Sequence, residues 1–159
     1  MTTQEFARRA DACAARMYAI AYLTLRSEAD CEDAVQEALL RAWRGLASLR
    51  DEKLFETWLI RICINESRRL LRRRARRAEL PFEEAAFAAV APPRDPALRD
   101  ALRALELRFR LPLVLHYIDG YTEKETAAIL RLPVSTVKWR LHEGRARLRA
   151  ELEEKEIDR

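Results

Sequence analysis

The sequence predicts an all-α fold of two small helical domains joined by a flexible linker. Three observations carry that expectation. Glycine is scarce, with 3 residues in 159, while Ala, Leu, Arg and Glu dominate, and these are strong helix formers. Apolar residues recur at steps of three and four in one segment after another, which is the helical period. Between residues 78 and 96 the pattern lapses into Glu79-Leu80-Pro81-Phe82, an alanine run, and then Pro92, Pro93 and Pro96. Clustered prolines disfavour helix and keep such a stretch extended. Domains are therefore expected at 1–77 and 97–159, with 78–96 as the linker. A chain of 159 residues is long enough for two small cores.

In the first domain, Phe6, Ala10, Cys13, Met17, Ala21 and Leu25 mark an amphipathic helix. Ser27 is a natural N-cap for the next one, expected over about 30–46, with acidic residues in its first turn where the helix dipole favours them. That helix carries two stripes. Val35, Ala38, Leu39, Ala42 and Leu46 form the expected core stripe. Asp33, Gln36, Glu37, Leu40 and Arg44 form an outward one. A solvated face is the ordinary reading of the outward stripe. Leu40 among its charges hints at docking, although a single exposed leucine is normal. Residues 47–53 read as a loop.

A third helix is expected from about Leu54 into a run of arginines. Phe55, Leu59, Ile62 and Glu66 lie along one line, with Trp58 beside them. Thr57, Arg61, Asn65, Arg68 and Arg72 make a second line at helical spacing. Amide and guanidinium donors next to an aromatic ring suit phosphates and unstacked bases. The bland alternative is a basic helix end that complements the C-terminal dipole. Arg68, Arg69, Arg72, Arg73, Arg74, Arg76 and Arg77 exceed what capping needs, which favours nucleic acid.

In the second domain, helix is expected to resume at Ala97, with Leu98, Leu102, Leu105 and Phe109 on one face. Residues 111–118 are an apolar run in which Pro112 either opens or kinks a helix, and Gly120 is the expected C-terminal cap. Two helices with a short corner then span 122–149, the helix-turn-helix plan. Thr122 and Glu125 make a capping box. Ala127, Ile129 and Leu130 give the first of these helices an inner face, and Pro133 cannot continue it. Ser135 is the expected N-cap of the second, whose Val137, Leu141, Gly144 and Leu148 face inward. Lys138, Trp139, His142 and Arg145 then face outward, where a DNA major groove can meet them. At the corner Arg131 stands where glycine is usual, at a cost of roughly 1 kcal/mol for a left-handed residue. Residues 151–159 read as an acidic, frayed tail. A helical hairpin with a solvated basic face is the competing view of the whole segment.

The net charge of +4 is modest but uneven: arginines crowd at 68–77 and 140–149, acids at 28–37 and 151–158. Blocks of opposite sign suggest a polyanion on one face and a protein on another. Cys13, Cys31 and Cys63 form no CxxC pair, and His116 and His142 are far apart, so neither a disulfide framework nor a metal site is expected. No run of about 18 uncharged apolar residues predicts a membrane span. The N-terminal stretch lacks a signal peptide's apolar core, so a cytoplasmic protein is expected. No catalytic constellation emerges either: no metal carboxylate cluster, no phosphate-binding glycine loop, and no nucleophile with a base at workable spacing.

Taken together, these pieces resemble the extracytoplasmic-function (ECF) sigma factors, the two-domain sigma subunits of bacterial RNA polymerase. Residues 30–37, Asp-Cys-Glu-Asp-Ala-Val-Gln-Glu, are similar to the family's polymerase-docking motif. Residues 55–65, Phe-Glu-Thr-Trp-Leu-Ile-Arg-Ile-Cys-Ile-Asn, are similar to its promoter-melting helix. Residues 111–117 and 133–138 are similar to its second domain. Each segment alone is weak, but their order and spacing are specific, and the resemblance covers roughly 6–77 and 96–152. It implies that Asp33, Gln36, Glu37 and Leu40 grip the coiled coil of the polymerase clamp. It implies a pocket for a flipped base of the −10 element shaped by residues 48–54, including Ser48, Leu49, Arg50 and Asp51. Strand separation and contact with melted DNA would then fall to Phe55, Trp58, Arg61, Asn65, Arg68 and Arg72. Recognition of the −35 element would fall to Ser135, Thr136, Lys138, Trp139, His142 and Glu143.

Core RNA polymerase, promoter DNA and an anti-sigma factor are the implied partners, with no cofactor, metal, small-molecule substrate or membrane insertion. The chain departs from the family pattern at Arg131, at Glu106 in place of a common proline, and at Trp139 and Glu143. The second departure predicts that the helix from Ala97 runs on past Glu106. Three other readings compete: a helix-turn-helix regulator that is not a polymerase subunit, a nucleic-acid enzyme, and a helical interaction module.

Overall fold

The computed structural model describes residues 1–77 and 95–158. The expected linker at 78–96 lies outside the described residues except for Asp95 and Pro96. Among the described residues all regular structure is helical. The chain divides into two compact units, 1–90 and 91–159.

The first unit is a bundle of three helices: α1 (Thr3–Leu25), α2 (Glu28–Arg44) and α3 (Phe55–Arg76), each packed on the other two. Thr2 caps α1 by accepting from the Glu5 N–H at 3.2 Å, and Ser27 caps α2 by accepting from Asp30 at 3.4 Å. The chain turns between α1 and α2 through Arg26, whose φ of 55° is left-handed. The expected inner line of α1 is buried throughout, with Ile20 and Thr24 added. The core stripe of α2 is displaced from its expected position. Cys31, Ala34, Ala38 and Ala42 are the buried line, while Val35, Leu39 and Leu46 are half-buried flanks. Small residues at the centre let α2 lie close against α1 and α3, so the larger side chains fall to the edges. The loop after α2 contains two single 3₁₀ turns, Leu46–Ser48 and Glu52–Leu54.

The second unit contains α4 (Pro96–Ala104), α5 (Leu107–Leu113), α6 (Glu123–Leu130) and α7 (Val134–Ile157), with α7 packed against the other three. Asp95 caps α4 through its carboxylate on the Ala97 N–H at 2.9 Å, and Pro96 opens it, a position where a missing N–H costs nothing. The helix does not run on past Glu106. Leu105, at ψ 147°, turns inward and is buried, and a new helix starts at Leu107. Arg110 explains why this break is tolerated. Its buried guanidinium donates to the carbonyls of Leu105 at 2.7 Å and Arg103 at 3.2 Å, satisfying acceptors that the broken helix leaves open. Pro112 lies inside α5, and the next turn widens into a π-helical turn, Val114–Ile118, closed by Asp119 N–H on the Val114 carbonyl at 2.9 Å. Gly120 then reverses the chain at φ 78°.

The reciprocal Thr122/Glu125 box is formed, at 3.1 and 2.8 Å. Arg131 takes the left-handed corner, at φ 53° and ψ 48°. Two expectations for α7 are corrected. Ser135 is not its cap: the helix opens at Val134 behind Pro133, whose carbonyl accepts from Thr136 and Val137. The acidic segment is not frayed, because α7 continues to Ile157.

Candidate nucleic-acid and polymerase interfaces

Four of the five residues of the outward α2 stripe, all but Arg44, lie together on one wall of a groove. Asp33, Gln36, Glu37 and Leu40 face Glu66, Arg69, Leu70, Arg73 and Arg76 of α3 across a space of about 470 Å³. Leu40 is 48% exposed, so its burial is not needed by the bundle. The groove has acids on one wall and arginines on the other. At its floor Glu66 is buried and takes two arginines, Arg41 from α2 at 2.9 Å and Arg69 at 3.2 Å. Arg41 also binds Glu37 at 3.0 Å.

The loop between α2 and α3 is held from several sides. Ser48 turns its hydroxyl inward to the Gly45 carbonyl at 2.6 Å, and Asp51 caps the second 3₁₀ turn through the Lys53 N–H at 2.9 Å. Ser48, Arg50 and Asp51 are exposed and Leu49 is half-buried. Arg9 of α1 donates to the Glu52 carbonyl at 2.5 Å while its guanidinium lies 4.6 Å from the centre of the Phe55 ring. A small cavity of about 340 Å³ is lined by Met1, Leu46, Ala47, Leu49 and Glu52.

Phe55 is not available to DNA. It is 1% exposed and packs edge-on against Phe6 at 5.6 Å, so the expected contact residue is part of the core. Trp58, Arg61, Asn65 and Arg68 are half-buried along α3, and Arg72 is exposed. The arginine run divides. Arg69 binds Glu66, and Arg74 binds the buried Asp30 of α2. Arg72, Arg73, Arg76 and Arg77 are exposed.

On α7, Ser135, Lys138, Trp139 and His142 are exposed, and Thr136 and Glu143 half-buried. Trp139, 53% exposed, leans on Phe109 with ring centres 5.9 Å apart. Lys138 lies 3.9 Å from Glu123 of α6. Glu143 accepts from Arg147 at 3.1 Å, one helical turn on. Arg147 also reaches Glu106 at 3.0 Å and covers the Phe109 ring at 4.4 Å. The hydrogen bond from Arg108, aided by Arg147, holds the Glu106 carboxyl below its ordinary value.

Sequence reasoning passed over Arg9, Arg110 and Arg147 as structural parts of these surfaces. For Arg147 the i,i+4 relation to Glu143 was a usable signal. Arg9 and Glu52 are 43 residues apart, and nothing local links them.

The three cysteines are buried and free. Burial pushes the Cys31 and Cys63 thiols up to about 12. Among the described residues no group of His, Cys, Asp and Glu is arranged to hold a metal ion, and no helix is long and apolar enough to cross a membrane.

Two family models match, Sigma-70 region 2 over residues 10–77 and Sigma-70 region 4 over 96–148. The ECF RNA polymerase sigma-E factor of Escherichia coli is 32% identical, covering 73% of this chain and 70% of that protein. This chain belongs to the ECF sigma factors. SigW of Bacillus subtilis is 32% identical, with 86% of this sigma factor and 83% of SigW covered. RfaY of Xanthomonas campestris, a probable RNA polymerase sigma factor by its name, is 35% identical over 94% of this chain, which spans only 40% of that longer protein. CnrH, solved in complex with the cytosolic domain of CnrY, superposes with a TM-score of 0.70 at 30% identity, covering 96% and 90% of the two chains. Sigma factor RpoE of Bartonella quintana, solved with the anti-sigma factor NepR, shares the fold with a TM-score of 0.82 at 24% identity, covering 95% and 98%.

Proposed function

We infer that this sigma factor binds core RNA polymerase and directs promoter-specific initiation by recognising −35 and −10 elements and helping to melt DNA. One observation carries the reading: a single chain holds both a groove on α2 that its own core does not need and a helix-turn-helix with exposed polar and aromatic side chains. Asp33, Gln36, Glu37 and Leu40 are the polymerase contacts. The loop at 46–54 and its small cavity receive an unpaired base, whose removal from the stack costs a few kcal/mol that a pocket and stacking groups offset. Trp58, Arg61, Asn65, Arg68 and Arg72 contact melted DNA. Ser135, Thr136, Lys138, Trp139 and His142 read the −35 element, with Glu143 at the edge of that surface. Residues 78–96 connect two separately folding domains.

This protein acts by binding rather than by catalysis, in the cytoplasm where polymerase works. An anti-sigma factor is its regulator; CnrH, of the same fold, was solved with a protein partner, the cytosolic domain of CnrY. A regulator independent of polymerase would leave the α2 groove without a use.

Run-off transcription by purified bacterial core polymerase, with and without this protein, tests the function. Specific transcripts are expected only when it is present. Changing Gln36 to Ala and Leu40 to Arg together should abolish polymerase capture and leave the helical circular dichroism intact. Undiminished capture would remove α2 from the interface.

A further inference from the structure

A glutamate on the otherwise apolar line of α3 needs a reason. Glu66 is 6% exposed and occupies the line of Phe55 and Leu59, where a leucine or methionine would pack without desolvating a charge. Its two oxygens are both engaged, Oε1 by Arg41 and Oε2 by Arg69. Arg41 is the only one of these arginines on α2, and its Nε also meets Glu37 Oε1. Glu37 in turn lines the groove beside Asp33, Gln36 and Leu40. An exposed i,i+4 pair such as Glu37–Arg41 is weak and mobile on its own. Anchored from below by a buried carboxylate, Arg41 loses that freedom and the Glu37 carboxylate is held at one position on the rim.

We propose that Glu66 is a positioning residue for polymerase docking, fixing Arg41 and through it the carboxylate that Glu37 presents to a basic side chain of the polymerase. The proposal rests on the α2 docking reading. A structural pair needs no third member at the surface. Here the chain of contacts runs from the buried position outward and ends on the groove wall.

The test is a double-mutant cycle on the full chain, read as Kd for purified core polymerase at fixed salt. Glu66→Gln and Glu66→Met should each weaken binding about fivefold or more while circular dichroism stays that of the native protein. Glu37→Gln should weaken binding in the native background and change it far less when Glu66 is already Gln. A merely structural Glu66 would lower the melting temperature and leave the Kd of the folded protein alone. If both Glu66 variants fail to fold, Arg41→Gln breaks the same link from its exposed side and enters the same cycle. Wild-type affinity in the folded variants, or Glu37 and Glu66 effects that multiply independently, would overturn the proposal. The Gln36→Ala, Leu40→Arg variant separates the two ideas: if it binds normally, the docking reading itself has failed.

Discussion

The two units use charge in opposite senses. In the first, two acids are inside and the arginines they hold lead outward: buried Asp30 holds Arg74, and buried Glu66 holds Arg41 and Arg69. In the second, an arginine is inside and acids are outside. Arg110 is 6% exposed and serves backbone carbonyls, while Arg147 ties the exposed Glu106 and the half-buried Glu143 over Phe109. The exposed arginines at the end of α3, Arg72, Arg73, Arg76 and Arg77, suit a phosphate backbone. The second unit has acids on the margin of α7, where Arg147 binds Glu143 and Glu106. Part of the arginine run belongs to the fold, since Arg69 is bound to Glu66 and Arg74 to Asp30.

The largest expected effect tests whether Phe55 is interior. Phe55→Ala should destabilise the first unit by about 3–5 kcal/mol in denaturant unfolding, the usual cost of emptying a core site. Phe55→Leu should keep both the fold and promoter melting. A folded Phe55→Leu protein that binds −10 duplex but cannot open it would return Phe55 to the DNA surface.

Alkaline pH probes the same interior. Cys31 and Cys63 are pushed up from 9.0 to about 12 by burial. The folded state keeps these protons after the unfolded chain has released its own. Stability is therefore present below about pH 9 and falls as pH rises toward 12. The loss is roughly 1.4 kcal/mol per thiol for each pH unit in that window. Changing both residues to Ala or Val should flatten the decline in Tm measured between pH 8 and 10.5. An unchanged slope would mean that the thiols do not control it.

Arg74→Ala should cost about 1–3 kcal/mol, because it leaves the Asp30 carboxylate unsatisfied at a buried site. The salt dependence of DNA binding should not change. The double change Arg72→Ala, Arg73→Ala should do the reverse. Stability stays within about 0.5 kcal/mol, all promoters weaken about equally, and the salt slope flattens by about one per lost phosphate contact. Equal behaviour of the two variants would erase the division drawn within the arginine run.

What was legible in the sequence follows from how local each feature is. The α1 core line, the Thr122/Glu125 box and the left-handed Arg131 are set by residues within one or two turns, and all are present. The α2 groove was legible as a stripe, since its four residues are neighbours on one helix. Its opposite wall was not, because Arg69, Leu70, Arg73 and Arg76 reach it through packing between helices. The α2 core line was met at Ala38 and Ala42 and missed at Cys31 and Ala34 for a related reason. Periodicity favours large apolar residues, whereas close helix packing selected Cys31, Ala34, Ala38 and Ala42. The break at Leu105 was hidden because the residue that makes it tolerable, Arg110 on the two open carbonyls, lies five residues downstream of it. Phe55 was misplaced because an aromatic at a helix start gives the same pattern whether it faces DNA or Phe6.

The smallest expected effect concerns Glu143, and it decides how sharply the acid-outside arrangement limits recognition. A free glutamate on a recognition helix can accept from a cytosine amino group, and a good base contact discriminates by about 1–3 kcal/mol. Glu143 is not free, since Arg147 Nε donates to its Oε1. Reading a base would require it to share or surrender that bond, which reduces the net gain. Its charge is also partly balanced, which weakens its repulsion of phosphate. Glu143→Ala should therefore alter preference at any −35 position by less than about 1 kcal/mol, measured by randomised-promoter selection. Stability should fall by only a few tenths of a kcal/mol, the value of an i,i+4 pair. Lys138→Ala and Trp139→Ala should change the selected sequences more. If Glu143→Ala instead moves one position by a full 1–3 kcal/mol, the carboxylate leaves Arg147 on binding, and the margin of α7 reads bases directly.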